Sequence, residues 1–142
     1  GVDNKNIEIE ITEGVLAKDP KDVARKIDEI KSRGFKVLID DFGTGYSSLE
    51  YLKKFNIDIL KIDRAFIKDY PETSDGPIAR AICELAHTLN IEVICEGVTT
   101  KAQVDFLSSI GCHIIQGFYY SPPVSSGIFE DMLLTRKIHK TE

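Results

Sequence analysis

Apolar residues recur along this chain with two alternating periods. Between Ile7 and Ile11 they fall on every second position, with acidic Glu8 and Glu10 between them, which predicts a strand with two unlike faces. The period then lengthens. Asp19 and Pro20 supply a helix N-cap and first position, Val23, Ile27 and Ile30 share one helical face, and Gly34 stops the helix. Lys36 to Asp40 predicts a second strand, and a short helix follows from about Ser48 to Phe55. Ile57 to Ile62 predicts a third strand. A helix from Thr73 or Ser74 to about Asn90 then carries Ile78, Ile82, Leu85 and Leu89 as its apolar stripe. Glu92 to Cys95 is the fourth strand, followed by a helix capped by Thr99 or Thr100 and ended by Gly111. Ile114 and Ile115 mark a fifth strand, and a last amphipathic helix spans about 126–138. Strands alternating with helices at this spacing predict βαβ units: an α/β fold with about five parallel strands.

Polar groups cluster at the strand ends. The first strand ends in Glu10 and Glu13, the second in Asp40 and Asp41, the third in Lys61 and Asp63, the fourth in Glu96 and the fifth in Gln116. Parallel strands place their C-terminal ends on one edge, where barrels and open α/β sheets build their sites. One such acid would be read as a solvated loop charge; five strand ends in succession are hard to explain that way. The two-residue period puts Lys61 and Asp63 on one face and Leu60 and Ile62 on the other, so Lys61 can face a barrel interior.

Composition narrows the class. With 142 residues the chain holds one domain's worth of core, yet a complete eight-stranded α/β barrel typically needs ~250 residues. The formal charge is -5 with acids and bases intermixed, so no basic stripe exists for a nucleic-acid polymer. Three cysteines, Cys83, Cys95 and Cys112, lack metal-ligand spacing and are expected as reduced core residues of a cytoplasmic protein. No apolar run approaches the ~20 residues of a membrane span. The first residue is not methionine, and a fragment of a longer protein is expected.

Clustered carboxylates with an amide oxygen are hard ligands suited to Mg²⁺ or Mn²⁺, and no Cys/His set for zinc is present. Carboxylates bridging two such ions could position a water for attack on phosphorus, and a neighbouring lysine could hold that water or neutralise phosphoryl charge. Residue types and order thus indicate metal-assisted phosphoester hydrolysis without naming a substrate.

The motifs go further. Glu10-Ile11-Thr12-Glu13 resembles the ExTE motif of the EAL-domain cyclic di-GMP phosphodiesterases, and residues 40–49 match that family's DDFGTGYSSL loop in full. Lys61-Ile62-Asp63, Glu96-Gly97-Val98, and Gln116-Gly117 with Pro122 or Pro123 match its KxD, EGV and QGxxxxxP motifs in order. The motif-bearing region runs from 7 to 123. The resemblance implies a partial TIM-like (β/α) barrel, with residues 1–142 forming the C-terminal portion, strands four to eight, of a single EAL-like domain. It implies metal-dependent hydrolysis of cyclic di-GMP to the linear dinucleotide in bacterial signalling. Glu10, Asp40 and Asp41 then resemble metal ligands, and Lys61, Glu96 and Asp63 catalytic residues, with Lys61 engaging the water. Gln116, Gly43 and Thr44 resemble substrate-binding or supporting residues. Glu13 resembles the acid that anchors the glycine-rich loop. Mg²⁺ or Mn²⁺ is the implied cofactor. A homodimer, or pairing with the missing N-terminal part of the domain, is the implied assembly.

The chain departs from the family twice. Thr99 stands where the family carries a second acid after EGV, and the segment with the Glu-Ala-Leu signature is absent, so the fragment alone is expected to be inactive. A non-catalytic sensor of the nucleotide or a partner is the alternative, and an unrelated metal-dependent barrel lyase or hydrolase a more distant one. Elsewhere bland readings prevail: Asp58, Lys53 and Lys54 as surface charges, Glu8 as a barrel-interior residue, His87 and His113 as packed or capping groups, and the basic tail as a solvated helix end.

Overall fold

The computed structural model describes residues 1–16, 19–45 and 52–136. Within them β1 (Glu8–Thr12), β2 (Lys36–Phe42), β3 (Ile59–Ile62), β4 (Glu92–Cys95) and β5 (Ile114–Ile115) form one sheet in that order. Every ladder is parallel. The helices are α1 (Glu13–Leu16), α2 (Pro20–Ser32), α3 (Pro77–Thr88), α4 (Lys101–Ser109) and α5 (Ser126–Thr135). The sheet does not close, so β1 and β5 each have one strand neighbour. This is the expected partial barrel of five parallel strands.

One sheet face is apolar and the other is not. Val37, Ile39, Leu60, Ile62, Val93 and Cys95 pack with Ile27 of α2, Ile82 and Ala86 of α3, and Leu107 of α4 in one core. The parallel registers place Glu10, Leu38, Ile59 and Glu92 in one row on the opposite face, with Lys61 beside Ile94 one row higher. That face is the barrel interior, and it carries the strand-end acids.

Element boundaries show what local chemistry decided. Asp19 Oδ1 accepts from the amides of Lys21 and Asp22, and Pro20 opens α2 as expected. The helix expected from Thr73 or Ser74 begins instead at Pro77. A residue before proline is disfavoured in the helical region, and Gly76 adopts φ +68. It ends at Thr88, earlier than Asn90, because Asn90 takes φ +56 in a left-handed stop. Strand β2 runs two residues beyond Asp40, to Phe42. The helix expected from Ser48 lies largely outside the described residues, and the last helix ends at Thr135, short of the expected 138, because Arg136 takes φ +54 in a left-handed stop. All three cysteines are buried and free. Asp58 is no plain surface charge: it accepts from Lys31 Nζ at 2.7 Å and from the Val37 amide at 2.9 Å, clamping α2 to the base of the sheet.

Candidate functional site

Strict alternation would send Asp40 and Asp41 to opposite faces of β2. A bulge prevents this. Ile39 pairs with Leu60 and Phe42 with Ile62, so Asp40 and Asp41 together stand opposite Lys61. Asp41 has φ +55, a left-handed conformation that Asp tolerates better than most residues. The extra residue returns Phe42 to the core and brings Asp41 to the rim beside the third and fourth strand ends.

Two linked clusters result. Lys61, only 8% exposed, reaches Asp40 Oδ1 at 3.2 Å, Glu96 Oε2 at 3.2 Å and Glu10 Oε1 at 3.4 Å. Burial works against its charge, but hydrogen bonds to Asp40 and Glu96 outweigh that cost and hold the ammonium above its ordinary range. The second cluster is Asp41, Asp63 and Glu96, each offering a carboxylate oxygen within 4.8 Å of the others. Desolvation, then the charges of Asp40 and Asp63, push the Asp41 carboxyl above the usual range, and Lys61 offsets only part of this. Glu96 belongs to both clusters. Five acids thus share the site with one lysine, leaving negative charge uncompensated where hard oxygen donors converge, which fits a divalent cation.

Around this centre the loops are tied down. Glu13, 5% exposed, accepts from the Gly43 amide at 3.0 Å and the Gly45 amide at 3.1 Å. Thr44 Oγ1 donates to the Asp41 carbonyl at 2.8 Å, closing the turn after the bulge. Asp63 Oδ1 accepts from the Ala65 amide and caps the short 3₁₀ turn Arg64–Phe66. Gly97, at φ +69, leaves room for the Arg64 stem: a Cβ there would stand 2.5 Å from Arg64 Cβ. Gln116 stands at the end of β5 with its side chain exposed. Its backbone joins Cys95 and Val98, and its side chain makes no hydrogen bond to the acids among the described residues.

The family model for the EAL domain matches residues 1–123. The chain belongs to the EAL domain family. It is 39% identical over 128 residues to the cyclic di-GMP phosphodiesterase NbdA of Pseudomonas aeruginosa, covering 89% of this chain and 16% of that protein. The EAL domain of Mycobacterium smegmatis DcpA superposes with a TM-score of 0.88 at 34% identity, covering 96% of this chain and 61% of that one. A manganese and cyclic di-GMP complex of Klebsiella pneumoniae BlrP1 superposes with a TM-score of 0.77 at 30% identity, covering 86% of this chain and 31% of that one. The chain thus spans 16–23% of the length of the curated relatives it matches first.

Within this EAL chain, the acids expected at the strand ends gather as one constellation. Glu10 and Asp40 are held by Lys61, whereas Asp41 stands with Asp63 and Glu96. One residue escaped sequence reasoning. Gln103, 2% exposed, joins the loops after β3 and β4. The signal available was Thr100 three residues before a Gln, the spacing of a capping box. No helix among the described residues is long and apolar enough to cross a membrane.

Proposed function

We propose that this chain forms the C-terminal portion of an EAL domain that hydrolyses cyclic di-GMP to the linear dinucleotide with Mg²⁺ or Mn²⁺. The observation that carries this reading is the convergence of Asp41, Asp63 and Glu96 on one point, beside a lysine braced by Glu10, Asp40 and Glu96. The similarity to NbdA and to the manganese and cyclic di-GMP complex of BlrP1 supports it.

Asp41, Asp63 and Glu96 would hold the cations, with Glu10 and Asp40 completing the set. Bound cations would supply Lewis-acid stabilisation of phosphoryl charge. Lys61 keeps its proton at neutral pH because its neighbours are carboxylates, so it serves as a donor that orients water or meets a phosphoryl oxygen, and not as a base. Proton acceptance falls to Glu96 or Asp63. Glu13 holds the Gly43 and Thr44 turn so that Asp41 keeps its aim, and Gln116 offers an amide to the substrate at the neighbouring strand end. The domain would act in the cytoplasm, as a homodimer or paired with the rest of its barrel.

Because the chain spans 61% of the DcpA domain, the isolated chain is expected to turn over slowly or not at all. Thr99 favours a second reading, a cyclic di-GMP sensor without turnover. The test is chromatography of cyclic di-GMP incubated with the protein containing this chain and Mn²⁺, with and without chelator. Chelator-sensitive release of the linear dinucleotide is expected, and Lys61→Met should lower turnover more than nucleotide affinity. Tight nucleotide binding with no turnover would replace the enzyme reading by the sensor. Turnover unaffected by chelator would overturn the metal role.

A further inference from the structure

Asp63 and Glu96 stand just past the ends of different strands, and each opens a loop. Residues 63–67 leave β3 through the short 3₁₀ turn, and residues 96–100 leave β4 toward α4. Gln103 sits beneath both loops. Its Nε2 donates to the Ile67 carbonyl at 3.0 Å, and its Oε1 accepts from the amides of Thr99 at 2.8 Å and Thr100 at 3.2 Å. On the rim side, the same two loops meet again where the Arg64 stem crosses Gly97.

A capping box explains only part of this. The Thr100 side chain accepts from the Gln103 amide, and the Gln103 side chain accepts from the Thr100 amide. A glutamate would serve that pair equally well. The bond to the Ile67 carbonyl needs an amide donor, and Ile67 closes the turn whose first residue, Asp63, lends a carboxylate to the acid cluster.

We infer that Gln103 is a positioning residue for the candidate metal centre: its buried amide locks the loops behind Asp63 and Glu96 at a fixed separation. The inference rests on the functional reading above, since it needs those acids to hold a cation. A group hydrogen-bonded directly to a metal ligand typically costs about 10–100-fold in affinity when removed, and Gln103 acts one step further back, through the backbone of both loops, so the lower end of that range is expected.

The test is Mn²⁺ binding followed by electron paramagnetic resonance, on the protein containing this chain and its variants, each confirmed as folded by circular dichroism. Gln103→Glu keeps the capping acceptors and loses the donor to Ile67. Thr100→Ala breaks the cap and leaves that donor in place. Gln103→Glu is expected to weaken Mn²⁺ binding about tenfold and to alter the spectrum of the bound ion. Thr100→Ala should leave both unchanged. Wild-type affinity in Gln103→Glu, or an equal loss in Thr100→Ala, would overturn the positioning role. Should Gln103→Glu fail to fold, hydrogen exchange on the wild-type chain decides: Mg²⁺ should slow exchange at the Thr99 and Thr100 amides at least threefold, and no change refutes the inference. A wild-type protein containing this chain that binds neither cation overturns the functional reading itself, and this inference with it.

Discussion

Replacing Asp41 with asparagine should make the metal-free chain more stable while weakening its hold on a cation. The carboxylate oxygens of Asp41, Asp63 and Glu96 lie within 4.8 Å of one another, where two charges repel by about 0.9 kcal/mol at the dielectric of water. Desolvation of the Asp41 carboxylate comes first, and repulsion from Asp40 and Asp63 adds to it; screened by salt and partly offset by Lys61, these leave a net penalty of about 1 kcal/mol at a site open to solvent. Asparagine has the same shape, removes the charge and accepts the left-handed φ of +55 at this position. The pH dependence follows from the raised Asp41 pKa. The folded chain binds that proton more tightly than the unfolded chain, so the wild type loses stability as pH rises above the ordinary value of 3.8. The variant escapes this loss, and its advantage is absent at pH 3.5 and complete at pH 7. Urea unfolding at both pH values in chelator measures it. Saturating Mn²⁺ should then reverse the ranking, because a ligand at one hundred times its Kd adds about 2.7 kcal/mol to the form that binds it. An Asp41→Asn chain that is less stable at pH 7 in chelator, or equally stabilised by Mn²⁺, would refute the reasoning.

Gly97→Ala combines a left-handed φ with a Cβ placed 2.5 Å from the Arg64 side chain, and it should cost about 2–3 kcal/mol in urea unfolding. A loss below about 0.5 kcal/mol would show that the two loops are not in contact. Burial pushes the Cys95 thiol up to about 12, and all three thiols are buried, so an aromatic disulfide reagent at pH 8 should react with them only after urea is added. Prompt reaction of the native chain would contradict that burial. The open sheet, together with Phe118, Phe129, Leu133 and Leu134 exposed by 53–84%, should drive concentration-dependent self-association in sedimentation velocity. A monomer at high concentration with freely exchanging β1 and β5 amides would count against it.

Much of this protein is written in short stretches of chain. The two-residue and helical periods located the strands and helices, and Asp19-Pro20 and Gly34 marked the ends of α2, because each signal acts within a turn or two of backbone. The acids at the strand ends were legible for the same reason: parallel strands of one sheet share a C-terminal edge whatever their exact lengths. Other features needed partners distant in sequence. The bulge that brings Asp41 beside Asp63 and Glu96 exists only because β2 pairs with β3, some twenty residues on, and no local pattern distinguishes it from simple alternation. The proton on Lys61 is held by carboxylates in or just beyond three other strands. Gln103 looks like an ordinary helix cap until the fold brings the Ile67 carbonyl to its amide from 36 residues away. Local propensity and period are properties of neighbours along the chain, whereas the geometry of a site depends on contacts that form only when the sheet assembles.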